Sequence, residues 1–256
     1  MYTTQLQAGL GMIEETDTLL TMYSDGMTIP DLSKAALDTG IFPTMSARRV
    51  RNVVAECFAP RYLVDDGQPA RLLKEVQSKL PSSEIKQLYF IYTCRANEIL
   101  ADFVRQVYWP YYSAGKTEIQ KDDAVNFVIR SNQDGKTSKL WSESTVKRVS
   151  SYLIGCCADF GLLEGGARKS TRHFNSFRIH RNAALWLSHD LHFSGLGDNA
   201  VINHSDWQLF GLEGFDVVDQ LKSISLEGHF VVQAAGGVVS IGWKYKDMQE
   251  FIDAIC

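Results

Sequence analysis

A chain of 256 residues, 45% hydrophobic and 22% charged with a net charge of −4, can bury a real core and has the composition of an ordinary soluble globular protein. It has no apolar run of about 18 residues and opens without a basic segment followed by an apolar one, so neither a membrane span nor a secretory signal is expected. Five scattered cysteines, Cys57, Cys94, Cys156, Cys157 and Cys256, lack the spacing of a disulfide framework and fit reduced thiols in a cytoplasmic protein.

Residues 5–24 carry apolar positions at Leu6, Leu10, Ile13, Leu19, Leu20 and Tyr23, a helical period. A short helix over 31–38 follows, with Asp31 as N-cap and Gly40 as stop. After Phe42-Pro43-Thr44, the segment from Met45 to Phe58 reads as a helix whose buried stripe is Val50, Val53, Val54, Cys57 and Phe58. Pro69 to Lys79 is another helix. Ser82 or Ser83 caps a long one that runs to the Trp109-Pro110 break. Its aromatics, Tyr89, Phe90, Tyr92 and Phe103, are read as core. A short helix covers Asp122–Arg130, and one from Ser142 or Ser144 to Gly161 buries Val146, Val149, Leu153, Ile154, Cys157 and Phe160. Helical segments near 182–193, 204–212 and 214–225 lead to a Val-rich hairpin around Ala235-Gly236-Gly237 and a closing helix. Trp207, Phe210, Phe215 and Trp243 are expected in the core of this last part.

The fold class expected is mainly α: helix-turn-helix or winged-helix modules around a central long helix, with small β-hairpins. Three segments are expected. Residues 1–80 form a helical module with a helix-turn-helix-like segment, 81–195 the long helix with a winged-helix-like module, and 196–256 a small α+β winged-helix-like module.

Charge is distributed unevenly. From Lys136 to Arg181 there are nine Lys/Arg against three acids, and from Leu196 to Cys256 three against nine. Such asymmetry suggests one face for a polyanion and another for a different partner. On the second basic helix, Arg148, Ser151 and Gly155 point away from the buried stripe and Lys147 flanks it. Lys139 stands in the polar, basic stretch before it. The segments Leu162–Gly166 and Ser176–His180 would supply the strands of a wing with Arg168, Lys169 and Arg172 at its tip. The earlier helix repeats the pattern, with Arg48 and Asn52 outward, Arg49 and Arg51 flanking, and Thr44 or Ser46 capping. Arginines on a capped helix suit phosphate, because each guanidinium grips an oxygen pair in a fork. Solvated surface cations, or pairing with Glu56 or Asp65, are the competing explanations.

Catalysis finds little support. The chain has no Gly-x-Ser-x-Gly, phosphate-binding Gly-rich loop, dinucleotide fingerprint or His-Glu-x-x-His. His189-Asp190-Leu191-His192 is weak as a metal motif, and Cys156-Cys157 reads as core filler. No enzyme activity, cofactor or metal is expected.

"FPTMSARRVRNVV", "LYFIYTCRANEILADFVRQVYWPYY", "WSESTVKRVSSYL" with "FGLLEGG", and "WQLFGL" with "VVQAAGGVVSIGWKYKDMQEFIDAI" resemble, in that order and over nearly the whole chain, the BrxA family of the bacteriophage exclusion (BREX) loci. The resemblance implies a mostly helical DNA-binding protein without catalysis of its own, acting beside a DNA methyltransferase and ATPases. Carried over, the DNA-facing residues are Arg48, Arg49 and Arg51 in the first module and Ser142, Thr145, Lys147 and Arg148 in the second. This chain has Gly155-Cys156-Cys157 where the family pattern has larger apolar or helix-forming residues, so the packing of that helix is expected to differ. Double-stranded DNA is the expected partner, bound with little sequence preference. The alternatives are a scaffold for other BREX subunits, an RNA-binding antitermination-like protein and a sequence-specific repressor.

Overall fold

The structure, a computed structural model, describes residues 1–166 and 170–255. It is mainly helical, with two small antiparallel two-stranded sheets. The chain divides into two compact units, Met1–Lys74 with Tyr89–Phe177, and Glu75–Leu88 with Arg178–Cys256.

In the first unit, α1 spans Ile13–Met22 and α2 spans Ile29–Asp38. Helix α2 begins earlier than its sequence suggests. Its cap is Thr28, not Asp31: the Thr28 hydroxyl accepts from the Asp31 N–H, and the Asp31 carboxylate accepts from the Thr28 N–H at 3.0 Å. Pro30 then sits in the first turn, where its missing N–H has no intrahelical partner to lose.

The next helix, α3, is a continuous run over 47–62 with a wide π-type middle, Val53–Phe58. There the Ala59 N–H reaches back five residues to the Val54 carbonyl, one position ahead of Pro60. The same device recurs ahead of Pro110, where the Trp109 N–H reaches the Val104 carbonyl. A proline ring inside a regular helix clashes with the carbonyl four residues back, and a wide turn relieves that clash. Trp109-Pro110 therefore does not end its helix, which continues to Ser113.

Helix α4 is Gln68–Val76, α5 is Ser82–Ala96, and α6 covers 98–113. The long helix expected from the sequence is thus two, broken at buried Asn97. That residue has a non-helical backbone (φ −133°, ψ 81°) and donates from Nδ2 to the Thr93 carbonyl at 2.9 Å. Tyr89, Phe90, Tyr92 and Phe103 are core, none more than 4% exposed. Tyr89 meets Tyr62 edge-on at 5.9 Å, and Phe90 packs on Phe160 at 5.3 Å.

Strand β1 (Glu118–Gln120), α7 (Lys121–Gln133), α8 (Glu143–Asp159) and β2 (Thr171–His173) complete this unit. β1 pairs antiparallel with β2, placing Ile119 opposite Arg172, and Leu163 bridges Phe174. The returning strand is therefore Thr171–His173, ahead of the Ser176–His180 segment expected to form it.

The second unit holds α9 (Arg181–Phe193), α10 (Asp198–Ile202), α11 (Gly214–Ser225), the hairpin of β3 (Phe230–Ala235) and β4 (Val238–Trp243), and α12 (Met248–Ile255). Gly236 and Gly237, both at positive φ, make the two-residue turn. Trp207 and Phe210 are core as expected, Trp243 is half-buried, and Phe215 is 91% exposed. The exposure of Phe215 corrects the core position expected from the sequence. The inner stripe of α11 is Val217, Val218, Leu221 and Ile224, and the helical phase turns Phe215 away from it.

Candidate nucleic-acid interface

Two short polar residues set the starts of the basic helices. Ser46 Oγ accepts from the Arg49 N–H at the head of α3, and Ser142 Oγ accepts from the Thr145 N–H at the head of α8. Each satisfies a donor that the first helical turn leaves unpaired. Gly161, at φ 83°, follows the end of α8.

The loop that delivers the chain to Ser142 is pinned. Asn132 Oδ1 accepts from the Trp141 N–H and from the Thr137 hydroxyl, both at 2.9 Å, and Asn132 Nδ2 donates to the Trp141 carbonyl at 3.1 Å. Tyr2 adds a parallel bridge to Thr137, its N–H donating to the Lys136 carbonyl at 2.7 Å. Trp141 is buried, while Lys139, Leu140 and Ser142 are exposed. Lys139 is thus presented on a fixed turn.

Both basic helices hold the same N-terminal segment. Arg61, in the last turn of α3 and 3% exposed, donates to the carbonyls of Gly9 at 2.8 Å, Leu10 at 2.9 Å and Gly11 at 3.2 Å. From α8, Asp159 Oδ2 accepts from the Gly11 N–H at 3.0 Å. Two close approaches allow this. A Cβ at Gly11 would lie 2.7 Å from the Asp159 Cβ, and a Cβ at Gly155 would lie 2.7 Å from Leu10 Cδ1. The unusual glycine at 155 is therefore where Leu10 packs on α8. Cys156 and Cys157 are fully buried behind it; burial pushes the Cys156 thiol up to about 12 and the Cys157 thiol well above its ordinary range.

The cations divide into two groups. Arg48, Arg51, Lys139 and Arg148 are exposed, and none makes a hydrogen bond or ion pair with another described residue. Pairing with Glu56 or Asp65 is absent for these arginines among the described residues. Lys147 is exposed but bonded to Glu143 one turn back, whose carboxyl it holds below the usual range. Asn52 is half-buried, Thr145 half-buried beneath the Ser142 cap.

Two arginines serve the fold instead. Arg49 donates to the Ala8 carbonyl and contacts the Met12 sulfur. Arg172 lies in β2 and not at the wing tip; it is 6% exposed and donates to the carbonyls of Glu164 and Gly166, tying the loop across its own base. Arg168 and Lys169 lie outside the described residues.

Arg49 and Tyr152 line one hollow of about 490 Å³ together with Gln7, Glu14, Glu15 and Asp159. Tyr152 stands one turn along α8 from Arg148. Arg61 was not among the candidates from sequence: its partners lie fifty residues away, and no local pattern announces them.

Among the described residues no group of three or more His, Cys, Asp or Glu is placed to hold a metal ion, and no helix is long and apolar enough to cross a membrane. His189 and His192 are packed as rings, His189 stacked on Phe251 at 4.0 Å and His192 on Trp243 at 4.2 Å.

The BrxA family profile matches residues 1–190. The C-terminal hairpin, a motif of the resemblance drawn above, lies beyond that match. A crystal structure of an uncharacterized protein from Magnetospirillum magneticum is similar at TM-score 0.60 and 13% identity, covering 75% of this chain and 94% of that one. At that identity the likeness speaks for the fold alone. No curated protein matches the chain.

Proposed function

The chain belongs to the BrxA family of the BREX phage-defence systems, and on that premise we propose that it is a non-enzymatic accessory protein that binds duplex DNA with little sequence preference. The observation that carries this reading is the set of unpartnered, exposed cations on two capped helices that grip one N-terminal segment: Arg48 and Arg51 on α3, and Arg148 on α8 with Lys139 ahead of it. Surface guanidinium groups without a carboxylate partner are free to exchange water and counterions for phosphate oxygens.

We read α6, β1, α7, α8 and the Leu163–Phe174 return as a winged helix. The order is helix, strand, two helices, then a returning pair in which residue 163 meets 174 and β2 meets β1. In that arrangement α8 is the element that enters the major groove, and Ser142, Thr145, Lys147 and Arg148 lie on its leading turns. Arg48, Arg51 and Asn52 extend the footprint from α3. Arg49 and Arg172 support the interface by fixing the N-terminal segment and the wing base.

The test is a fluorescence-anisotropy titration of labelled duplex DNA at low salt, with structured RNA as competitor. Duplex binding that RNA competes for poorly supports the proposal. Absence of duplex binding at low salt overturns it, and preference for RNA moves the reading to an RNA-binding protein. Arg48→Glu with Arg51→Glu should weaken binding while leaving the thermal midpoint near wild type, because neither side chain has a partner to lose.

A second reading, a scaffold for other BREX subunits, is favoured by the nine acids against three cations from Leu196 to Cys256. That surface would repel phosphate. Deletion of 196–256 followed by pull-down with BREX partners separates the two.

A further inference from the structure

We propose that a hollow beside the wide turn of α3 binds a small organic amine, an apolar body carrying an ammonium group and an acceptor oxygen. The hollow measures about 500 Å³ and every residue lining it belongs to the first unit. That volume is in the range of small-molecule pockets. The local sequence makes the space. Ala55, Ala59 and Pro60 form its floor, and none has a long side chain to fill it. Met27, Ile29 and Leu63 supply apolar walls, and Ile29 is left 39% exposed at the rim. An apolar body seated there removes these side chains from water.

The polar groups decide what else the occupant carries. Tyr23 lines the hollow and is only 2% exposed. The Gly26 backbone approaches its phenol oxygen, but the hydroxyl proton meets no acceptor among the described residues. A buried donor left unused is costly, and a ligand oxygen would satisfy it. Gly67 makes room for that hydroxyl, since a Cβ at 67 would lie 2.1 Å from the Tyr23 oxygen. Asp66, one residue earlier, lines the same hollow, and its carboxylate has no hydrogen bond or ion pair among the described residues. Arg71 does not neutralise it, being engaged by Asp25 at 3.8 Å. Asp65, Asp66 and Gly67 stand in succession at φ 50°, 54° and 76°. Two neighbouring non-glycine residues in the left-handed region are costly, and such outliers collect at ligand clamps. Here the turn sets a free carboxylate next to a buried phenol. An ammonium donates to the first and an oxygen accepts from the second, while an anion is repelled. No strand borders the hollow, so an extended peptide has no edge to pair with.

The experiment titrates the full chain with phenylalaninamide, which has all three parts, and follows the ligand ring by proton NMR. Phenethylamine lacks the acceptor oxygen, and hydrocinnamamide lacks the ammonium. Phenylalaninamide should bind at least about tenfold more tightly than hydrocinnamamide and about threefold more tightly than phenethylamine. Asp66→Asn should remove the first advantage, and asparagine keeps the turn because it tolerates left-handed backbone. Tyr23→Phe should remove the second and leave phenethylamine binding unchanged. Ala55→Leu fills the floor from an exposed position and should weaken all three probes by at least about tenfold. Equal affinity for the three probes, or no binding of phenylalaninamide at about 10 mM, overturns the proposal. So does undiminished binding by Ala55→Leu or Asp66→Asn. A dimer in sedimentation that Ala55→Leu dissolves also overturns it, because a second copy would then be the occupant. An unchanged thermal midpoint certifies each variant as folded, and the exposed Asp66 keeps the test open if Ala55→Leu loses stability. The result is independent of the duplex titration, which uses no amine.

Discussion

The guanidinium of Arg61 and the carbonyl of Gly9 are 2.8 Å apart in the interior of the first unit, and Leu10 and Gly11 present their carbonyls to the same group. The guanidinium is solvated by these three backbone carbonyls, so arginine holds the Gly-Leu-Gly turn much as water would hold it in the unfolded chain. Replacing Arg61 by Met keeps the apolar stem but strands three buried carbonyls. The expected cost is about 2–4 kcal/mol in urea unfolding, larger than for a typical surface change. Duplex affinity should fall with it, although Arg61 is too buried to meet DNA.

Gly155 supplies a steric test of the same joint. In an exposed helix, glycine to leucine would gain about 1 kcal/mol of helix propensity. Here the new side chain would meet Leu10 Cδ1, which already lies 2.7 Å from where a Cβ would stand. Overpacking should prevail and destabilise by about 1–3 kcal/mol. Shortening Leu10 to Ala in the Gly155→Leu background should recover most of that loss, while Leu10→Ala alone destabilises. A double-mutant cycle reads the coupling; additive effects would mean the two residues do not touch.

The caps and stripes of the basic helices were legible because they are local. Ser46 and Ser142 stand where a polar oxygen must meet an N–H two or three residues on, and Val50 or Val146 recurs at helical spacing. What escaped was set by distant partners or by phase. Arg172 is basic like its neighbours, yet strand pairing turns it inward onto Glu164 and Gly166. Phe215 is as apolar as Phe210, yet its place on the helix decides its exposure. Pro110 looks like a helix end, and only the wide turn before it allows the helix to continue.

Acid should loosen the second unit. Burial pushes the His189 imidazole down to about 4, against an ordinary 6.5, and His192 and His229 are lowered by burial as well. A histidine held neutral in the folded state contributes full stability above about pH 6.5 and loses it progressively as pH falls toward 4. For His189 alone the loss over that window is about 3 kcal/mol. Thermal unfolding followed at Trp186, Trp207 and Trp243 should show a falling midpoint between pH 6.5 and 4. His189→Leu should flatten that dependence; an unchanged slope would contradict the assignment.

Lys147 is held by Glu143. On the proposed interface that carboxylate competes with phosphate for the ammonium and adds its own repulsion. Glu143→Gln should therefore raise duplex affinity several-fold at low salt, with the gain shrinking as salt rises. Anisotropy at two ionic strengths measures it. A loss of affinity would place Glu143 itself in contact with DNA bases.

The proposed interface requires α3 and α8 to grip one duplex together, and the salt dependence of affinity tests this most directly. Neutralising about six phosphates makes log affinity fall with log salt at a slope near −5, a loss of about a thousandfold between roughly 50 and 200 mM. Arg48→Ala, Arg51→Ala and Arg148→Ala should each flatten that slope by about one, and the Arg48 and Arg148 changes should add. A wild-type slope near zero, or a slope that responds to the α8 substitution but not to those on α3, would contradict it.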